Sequence, residues 1–495
     1  MPQLSDLIGN RRLILVSNRE PYEHVRKGDT VDVRRPPGGL VSALDPLMRR
    51  TNGVWVAWGS GDADRDAADE NGHVGVPPEE PSYTLRRVWL NEAEVDGYYQ
   101  GFANSALWPL CHMLVQHFEP RAEAWEQYRV VNDRFAAAVA EEAGDADAVV
   151  WIQDYHLALA PAAVRALAPG ALIHQFWHIP FPPPDVFQLM PLGMATDLLR
   201  GMLGNDLIEF QTDRSARNFL ACVGELIREA RVDTEQQRVH IDGRISAVRA
   251  FPISIDVKCY EDLANGADAA SLAATLRDRY ATDGRQLAVS VDRVDYTKGI
   301  PERLRALELM WERYPDLRER VVFIVVATPS RSALPAYHAL EEDVADSVRR
   351  INERYQTDGW TPIVLIPENV AADRLAAIYR AADLCLVSSL QDGMNLVAKE
   401  FIACQVDERG LLLLSRFAGA AEEIEGATLI NPFNIDGLAD GLHSALAIPL
   451  EQRRERMAAM RASLRDATIF DWLEAILAAV NNLREVQAND PAAVG

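Results

Sequence analysis

Asp392-Gly393-Met394-Asn395-Leu396-Val397-Ala398-Lys399-Glu400 lies just downstream of the apolar run Leu384-Cys385-Leu386-Val387. A run of this kind reads as a strand buried in a parallel sheet. Gly393 falls where the chain must turn, and Asn395 to Glu400 read as the start of a helix. Strand, glycine turn and helix start in succession leave unpaired backbone N–H groups directed at an anion. Asp392 stands on the turn, and Glu400 lies about two turns into the helix. Two carboxylates around an anion pocket would repel phosphate, so they read as binders of hydroxyls. Phosphate together with hydroxyls points to a nucleotide sugar.

Outward from this stretch, the same strand grammar recurs at Leu13–Val16, Ala148–Ile152, Leu172–Phe176 and Asp206–Phe210. It returns at Leu287–Val291, Val321–Val326, Ile363–Ile366 and Leu411–Leu414. Helical patterns lie between, among them Trp125–Ala143, Ser215–Ala230 and Glu302–Tyr314. Strands alternating with helices imply parallel sheets, and 495 residues are too many for one core. The expected fold is α/β, with two Rossmann-like parallel-sheet domains, 1–250 and 251–495. Their strand C-termini are expected to face each other across a cleft, where such sheets bind ligands. The stretch from about Glu235 to Lys258 separates the two sets, and Phe251-Pro252-Ile253-Ser254 reads as the crossing segment. The last helical pattern, Ile469–Val486, either extends the second domain or crosses back to the first. Gln487 to Gly495 reads as a frayed end.

Composition narrows the partners. The formal net charge is −23, with no basic run to offset it, so nucleic acid is not expected as a partner. An anionic substrate then requires locally clustered Arg and Lys. The five cysteines (Cys111, Cys222, Cys259, Cys385, Cys404) show neither pairing nor metal-ligand spacing, as in a reducing compartment. Met1 to Arg12 lacks the apolar core of a signal peptide, and no apolar run reaches the length of a membrane span. A cytoplasmic protein without membrane partner, metal or cofactor is expected, and homo-oligomerisation stays open. No Gly-x-Gly-x-x-Gly follows a strand and no Gly-Lys-Ser/Thr loop occurs, so dehydrogenase and P-loop readings lack their fingerprints. Gly59-Ser60-Gly61 is only a fragment of such a pattern.

Four further constellations bear on chemistry. Arg293-Val294-Asp295-Tyr296-Thr297-Lys298-Gly299 leaves the strand Leu287–Val291 with two cations able to hold a diphosphate. Alone it reads equally well as two solvated charges; the anion site at Gly393 shifts the balance. Pro36-Pro37-Gly38-Gly39-Leu40 opens the helical stretch Val41–Met48 and permits close backbone approach to a phosphate or sugar. Gly-Gly is common in ordinary turns, but Arg19, just past the first strand, is aimed at the same region. Asp154, in Trp151-Ile152-Gln153-Asp154-Tyr155-His156, ends a strand where a substrate hydroxyl would lie. His178 ends another, ahead of Ile179-Pro180-Phe181-Pro182, whereas His156 and His174 read as structural hydrogen-bonders. Trp58 and the aromatics from Tyr99 to Trp108 fit a core or a sugar-stacking surface. Arg331 ends a second-domain strand, as a cleft cation or a surface residue.

Taken in order, Ser17-Asn18-Arg19, Gly38-Gly39-Leu40, Tyr99 to Trp108, Asp154-Tyr155-His156, His178 to Pro182, Arg293 to Gly299 and Asp392 to Glu400 resemble the trehalose-6-phosphate synthase family of retaining GT-B glycosyltransferases. The likeness runs from about Leu13 to Trp472. It implies a nucleotide-glucose donor, a sugar-phosphate acceptor (glucose 6-phosphate) and α,α-trehalose 6-phosphate, the precursor of an osmoprotectant, as product. By resemblance, Arg293 and Lys298 bind the donor diphosphate, Asp392 the glucose hydroxyls and Glu400 the ribose. The backbone around Gly393, Met394, Asn395, Leu396 and Val397 completes the donor site. His178 contacts the donor glucose, and Gly39 the donor phosphates. Arg19, Tyr99, Trp108 and Arg331 hold the acceptor phosphate; Asp154 and Trp58 face the acceptor sugar. The family retains anomeric configuration without an evident protein nucleophile, so orientation and charge neutralisation carry the step.

Some positions depart from the family pattern. Gln391 stands where relatives commonly carry Arg, Gln153 where a His is frequent, and Ser254 at a usual Gly. The opening Arg19-Glu20-Pro21-Tyr22-Glu23 is also similar to glucosylglycerol-phosphate synthases, which use glycerol 3-phosphate. A cyclitol-coupling relative and a non-catalytic sugar-phosphate binder are further alternatives.

Overall fold

The computed structural model describes residues 11–28, 30–35, 39–144, 147–332 and 334–489. Pro36, Pro37 and Gly38, most of the Met1–Arg12 stretch, and the end of the expected frayed tail lie outside the described residues. The chain divides into two compact units, Met1–Pro252 with Asp471–Gly495, and Ile253–Phe470.

The first unit is built on a ten-stranded sheet. Its centre runs Leu207–Phe210, Leu172–Trp177, Ala148–Gln153, Arg12–Arg19, Val54–Trp58 and Tyr83–Val88, paired in parallel. Every residue of Ala148–Gln153 and of Leu172–Trp177 is buried, as expected of strands covered on both faces. Chain order reverses between Arg12–Arg19 and Ala148–Gln153, which makes their C-terminal ends the switch point where such sheets hold ligands. The region from about 235 to 258 is more than a separator. Arg238–Ile241 and Arg244–Ala250 are strands added to one side of this sheet. They are joined by a turn at Asp242-Gly243 with φ of 50° and 72°, the Asp-Gly signature of a tight hairpin. The helix from Asp213 ends at Leu226, four residues short of Ala230, where the chain turns toward the strand Arg231–Asp233.

The second unit carries six parallel strands in the order Ile363–Ile366, Val321–Thr328, Gln286–Arg293, Leu384–Val387, Leu411–Ser415 and Thr428–Ile430. Numbered along the chain this is 3-2-1-4-5-6, the doubly wound Rossmann order. Its switch point lies between Gln286–Arg293 and Leu384–Val387. The terminal helix, Ile469–Asn489, sends Trp472 onto Trp151 and Phe176 of the first unit's own sheet, with ring centroids 5.7 and 5.1 Å apart. No described helix is long and apolar enough to cross a membrane.

Candidate active site

In the second unit, the switch point gathers the residues singled out on two distant segments. Arg293 is the exposed last residue of its strand. The chain then makes one tight turn, Tyr296–Lys298, and enters the helix Ile300–Arg313 through Gly299. Gly299 has φ of 63°, and a Cβ there would come within 2.3 Å of the Ser388 carbonyl, so only glycine lets the two loops meet. The meeting sets Lys298 Nζ 2.6 Å from Asp392 Oδ2. Asn395 Nδ2 and Ser389 Oγ donate to the same oxygen at 3.0 and 3.2 Å. Asn395 also caps the helix Leu396–Cys404, accepting from the Ala398 N–H at 3.2 Å. The left-handed residue of this turn is Asn395, at φ 82°, and not Gly393; the side-chain bonds of Asn395 hold a conformation that Asn tolerates. As the first residues of a helix, Leu396 and Val397 keep N–H groups without intrahelical acceptors.

Glu400 lies one turn further along. Its two oxygens accept from Tyr260 and Tyr379 at 2.9 and 3.1 Å. Burial pushes its carboxyl up, and the two phenol donors pull it back. Arg331 is held through Nη1 by Asp295 Oδ2 at 2.9 Å and by the Tyr337 hydroxyl at 2.8 Å. Burial works against the Asp295 carboxylate, but Arg331, Arg293, the Thr297 N–H and Lys298 outweigh it and hold it below the usual range. Arg331 thereby belongs to the scaffold of the Arg293–Lys298 turn in this unit.

In the first unit, Arg19 ends one strand of the switch point and Asp154 directly follows the other. Arg19 Nη2 bonds the Tyr99 hydroxyl at 3.2 Å, and the Trp58 ring lies 6.0 Å from that of Tyr99. Tyr99 sits on a π-helical stretch, Val95–Leu107, a conformation that concentrates at functional sites. Trp108 follows directly, buried against His112 and Tyr155. Tyr99 stacks on His156 at 5.8 Å, and His156 Nδ1 is 3.8 Å from Asp154 Oδ2. Asp154 has φ of 70° and accepts the His178 N–H at 3.2 Å. His178 Nε2 lies 2.9 Å from Gln153 Oε1, and Gln211 Nε2 lies 3.3 Å from Nδ1. Nε2 therefore carries the proton and Nδ1 accepts. Burial depresses the His178 pKa to about 3, so the ring is neutral. Gly39 is the first residue of the helix Gly39–Thr51.

The arrangement brings together Arg19, Trp58 and Tyr99, links Asp154 to His178, and joins Lys298 to Asp392. Sequence reading passed over several supports. His156 stacks beneath Tyr99, whereas His174 is structural, bonded to Glu209 at 2.6 Å in the core. Arg303, fully buried, donates to Asp292 at 2.5 Å and to Ser388 at 2.9 Å beneath the Lys298 turn. The available signal was a charged residue, Arg303, on the apolar face of a helix. Tyr260 and Tyr379 had none, because only folding brings them to Glu400. Among the described residues, no group of three His, Cys, Asp or Glu side chains is placed to hold a metal ion.

The sequence profile of glycosyltransferase family 20 matches residues 11–482. The trehalose-6-phosphate synthase of Mycolicibacterium vanbaalenii is 38% identical over 489 residues, covering 97% of this chain and 98% of that protein. The E. coli trehalose-6-phosphate structure bound with UDP-2-fluoro glucose aligns at a TM-score of 0.84 and 31% identity, over 95% of this chain and 99% of that one. The UDP-forming α,α-trehalose-phosphate synthase of Burkholderia xenovorans in complex with glucose-6-phosphate aligns at 0.83 and 32% identity, over 95% and 99%.

Proposed function

The chain belongs to glycosyltransferase family 20, and from that premise we propose that it transfers glucose from UDP-glucose to glucose 6-phosphate, giving α,α-trehalose 6-phosphate and UDP. The observation that carries the reading is the Lys298–Asp392 contact at the switch point of the second sheet. There a cation for the leaving diphosphate and a carboxylate for sugar hydroxyls share one corner. Arg293 and Lys298 neutralise the diphosphate as the C1–O bond of the donor breaks. Leu396 and Val397 offer their N–H groups to phosphate oxygens, and Glu400 takes the ribose hydroxyls on lone pairs left by its two tyrosines. Neutral His178, protonated at Nε2, faces the donor glucose.

Within the first unit, Arg19 and Tyr99 hold the acceptor phosphate with Trp108, and Trp58 and Asp154 address the acceptor sugar. The acceptor hydroxyl bonds C1 on the face the diphosphate leaves, and a leaving-group oxygen takes its proton, so configuration is retained. The UDP-2-fluoro glucose bound in the E. coli structure and the UDP-forming Burkholderia xenovorans enzyme support UDP as the nucleotide. The five free cysteines accord with a cytoplasmic setting.

The test is incubation of purified protein with UDP-, ADP- or GDP-glucose and either glucose 6-phosphate or glycerol 3-phosphate. Release of UDP only with UDP-glucose and glucose 6-phosphate is expected. No nucleotide release with any pair would sink the reading, and turnover with glycerol 3-phosphate alone would move the acceptor assignment.

A further inference from the structure

Beneath Arg19 and Trp58 lies a group of ionisable side chains that the proposed reaction does not use. Glu20, Asp64 and Arg87 have no solvent exposure at all, and His24 is nearly as buried. Glu20 follows Arg19 directly, and Ser60 lies two residues after Trp58. Glu20 Oε1 accepts the Ser60 N–H at 2.9 Å and its hydroxyl at 3.3 Å. Glu20 Oε2 accepts Arg87 Nε at 2.8 Å. Arg87 Nη2 reaches Asp64 Oδ1 at 2.8 Å, His24 Nδ1 at 2.8 Å and the Tyr22 carbonyl at 3.1 Å. Asp64 closes the loop, accepting the Gly61 N–H at 2.6 Å and the His24 N–H at 2.8 Å.

One carboxyl thus joins the two segments that carry Arg19 and Trp58, which already stand opposite each other in the parallel pairing of their strands. Burying three ionisable groups in the core is costly, and an apolar cluster would hold a loop with less desolvation. What an ionic network adds is direction, because each bond fixes an angle as well as a distance.

We propose that Glu20, braced by Arg87 and Asp64, is the positioning residue that sets Arg19 and Trp58 for the phosphorylated acceptor. This rests on the acceptor roles proposed above. Two carboxyls, Glu20 and Asp64, face the one Arg87 guanidinium, and a proton kept on Glu20 is favoured by its neighbour Asp64, whose own carboxyl is held below the usual range. Burial and this neighbour push the Glu20 carboxyl up to about 8, against the pull of Arg87. The other ionisable groups of the cluster are His24, whose Nδ1 lies 3.4 Å from Asp64 Oδ1, and Glu23, whose Oε1 is 3.4 Å from the Ser60 hydroxyl. A raised carboxyl stabilises while protonated, so the arrangement holds below about pH 8 and loosens as pH rises through that value.

The experiment measures the KM for glucose 6-phosphate and kcat from pH 6.5 to 9.5 in the wild type and in Glu20→Gln, with unfolding curves for both. In the wild type, acceptor KM is expected to rise above about pH 8 by up to about tenfold per pH unit, while donor KM and kcat stay level. In Glu20→Gln the acceptor KM is expected to be raised severalfold and flat across the range. A rise that persists in the variant, or a wild-type KM flat to pH 9.5, overturns the proposal; the wild-type profile decides alone if the variant does not fold. A wild type without glucose 6-phosphate turnover counts instead against the proposed function, and this inference falls with it.

Discussion

Lys298 and Asp392 are each mostly hidden from solvent, with 14% and 13% of their side chains exposed. Removing the ammonium takes away the charge that meets the leaving diphosphate and leaves Asp392 without its cation. Lys298→Ala is therefore expected to lower kcat by about 10²- to 10³-fold, with circular dichroism unchanged; wild-type turnover would remove Lys298 from the reaction. Glu400 acts through hydrogen bonds to neutral hydroxyls, so Glu400→Gln should raise the donor KM about tenfold and leave kcat within a few-fold. An unchanged donor KM would end the ribose assignment. His178 is held neutral by burial, with its pKa depressed to about 3. Below the ordinary imidazole range the unfolded chain takes up a proton that the folded chain refuses, so stability falls as pH drops from about 6.5 toward 3. The cost is about 1.4 kcal/mol per pH unit. Urea unfolding at pH 7 and pH 5 should show a smaller acid loss in His178→Gln than in the wild type, and equal losses would contradict it.

At the scale of elements, the turn between Gln286–Arg293 and Ile300–Arg313 depends on Gly299 for two separate reasons: its φ of 63° and the Ser388 carbonyl 2.3 Å from any Cβ. Gly284 offers the comparison, with φ of 78° and nothing within 4 Å of a Cβ. Gly284→Ala should cost only the backbone strain, about 1 kcal/mol. Gly299→Ala should cost more and also depress kcat, because Lys298 moves with the turn. Denaturant melts and kinetics on the pair would separate strain from displacement; equal stability losses and equal activities would show that the close approach is immaterial. The helix Leu396–Cys404 is set in the same way by a neighbour, through Asn395, Ser389 and Asp392 rather than through its glycine.

For the whole molecule, the returning helix makes the end of the chain part of the first unit. Trp472 is 4% exposed, meets Trp151 at a tilt and Phe176 edge-on, and donates to the Phe251 carbonyl at 3.0 Å. Trp472→Ala should cost about 3–5 kcal/mol of stability while leaving UDP affinity intact, since its ring partners and its hydrogen-bond acceptor are residues of the first unit. Calorimetric titration with UDP beside thermal unfolding tests both halves. A variant that keeps its stability, or loses nucleotide binding, would contradict the division of the chain into these units.

The strands were legible in the sequence because burial on both faces writes itself as a continuous apolar run. Leu384–Val387, buried at every residue, ends where its run ends. Arg238–Ile241 and Arg244–Ala250 were not, since these partly exposed strands mix polar and apolar residues. Nor could local pattern foretell the π-helical turn under Tyr99, or that Asn395 rather than Gly393 takes the left-handed conformation. The site was legible as two families of residue types, cations after one strand and acids around a helix start. Their union was not, because Lys298 meets Asp392 across 94 residues and Glu20 meets Arg87 across 67. Local sequence determines which segments become strand, turn or helix, since those preferences act over a few bonds. Only the order of strands in the sheets decides which segment ends become neighbours, and with it which charges share a corner and which proton a buried carboxyl keeps.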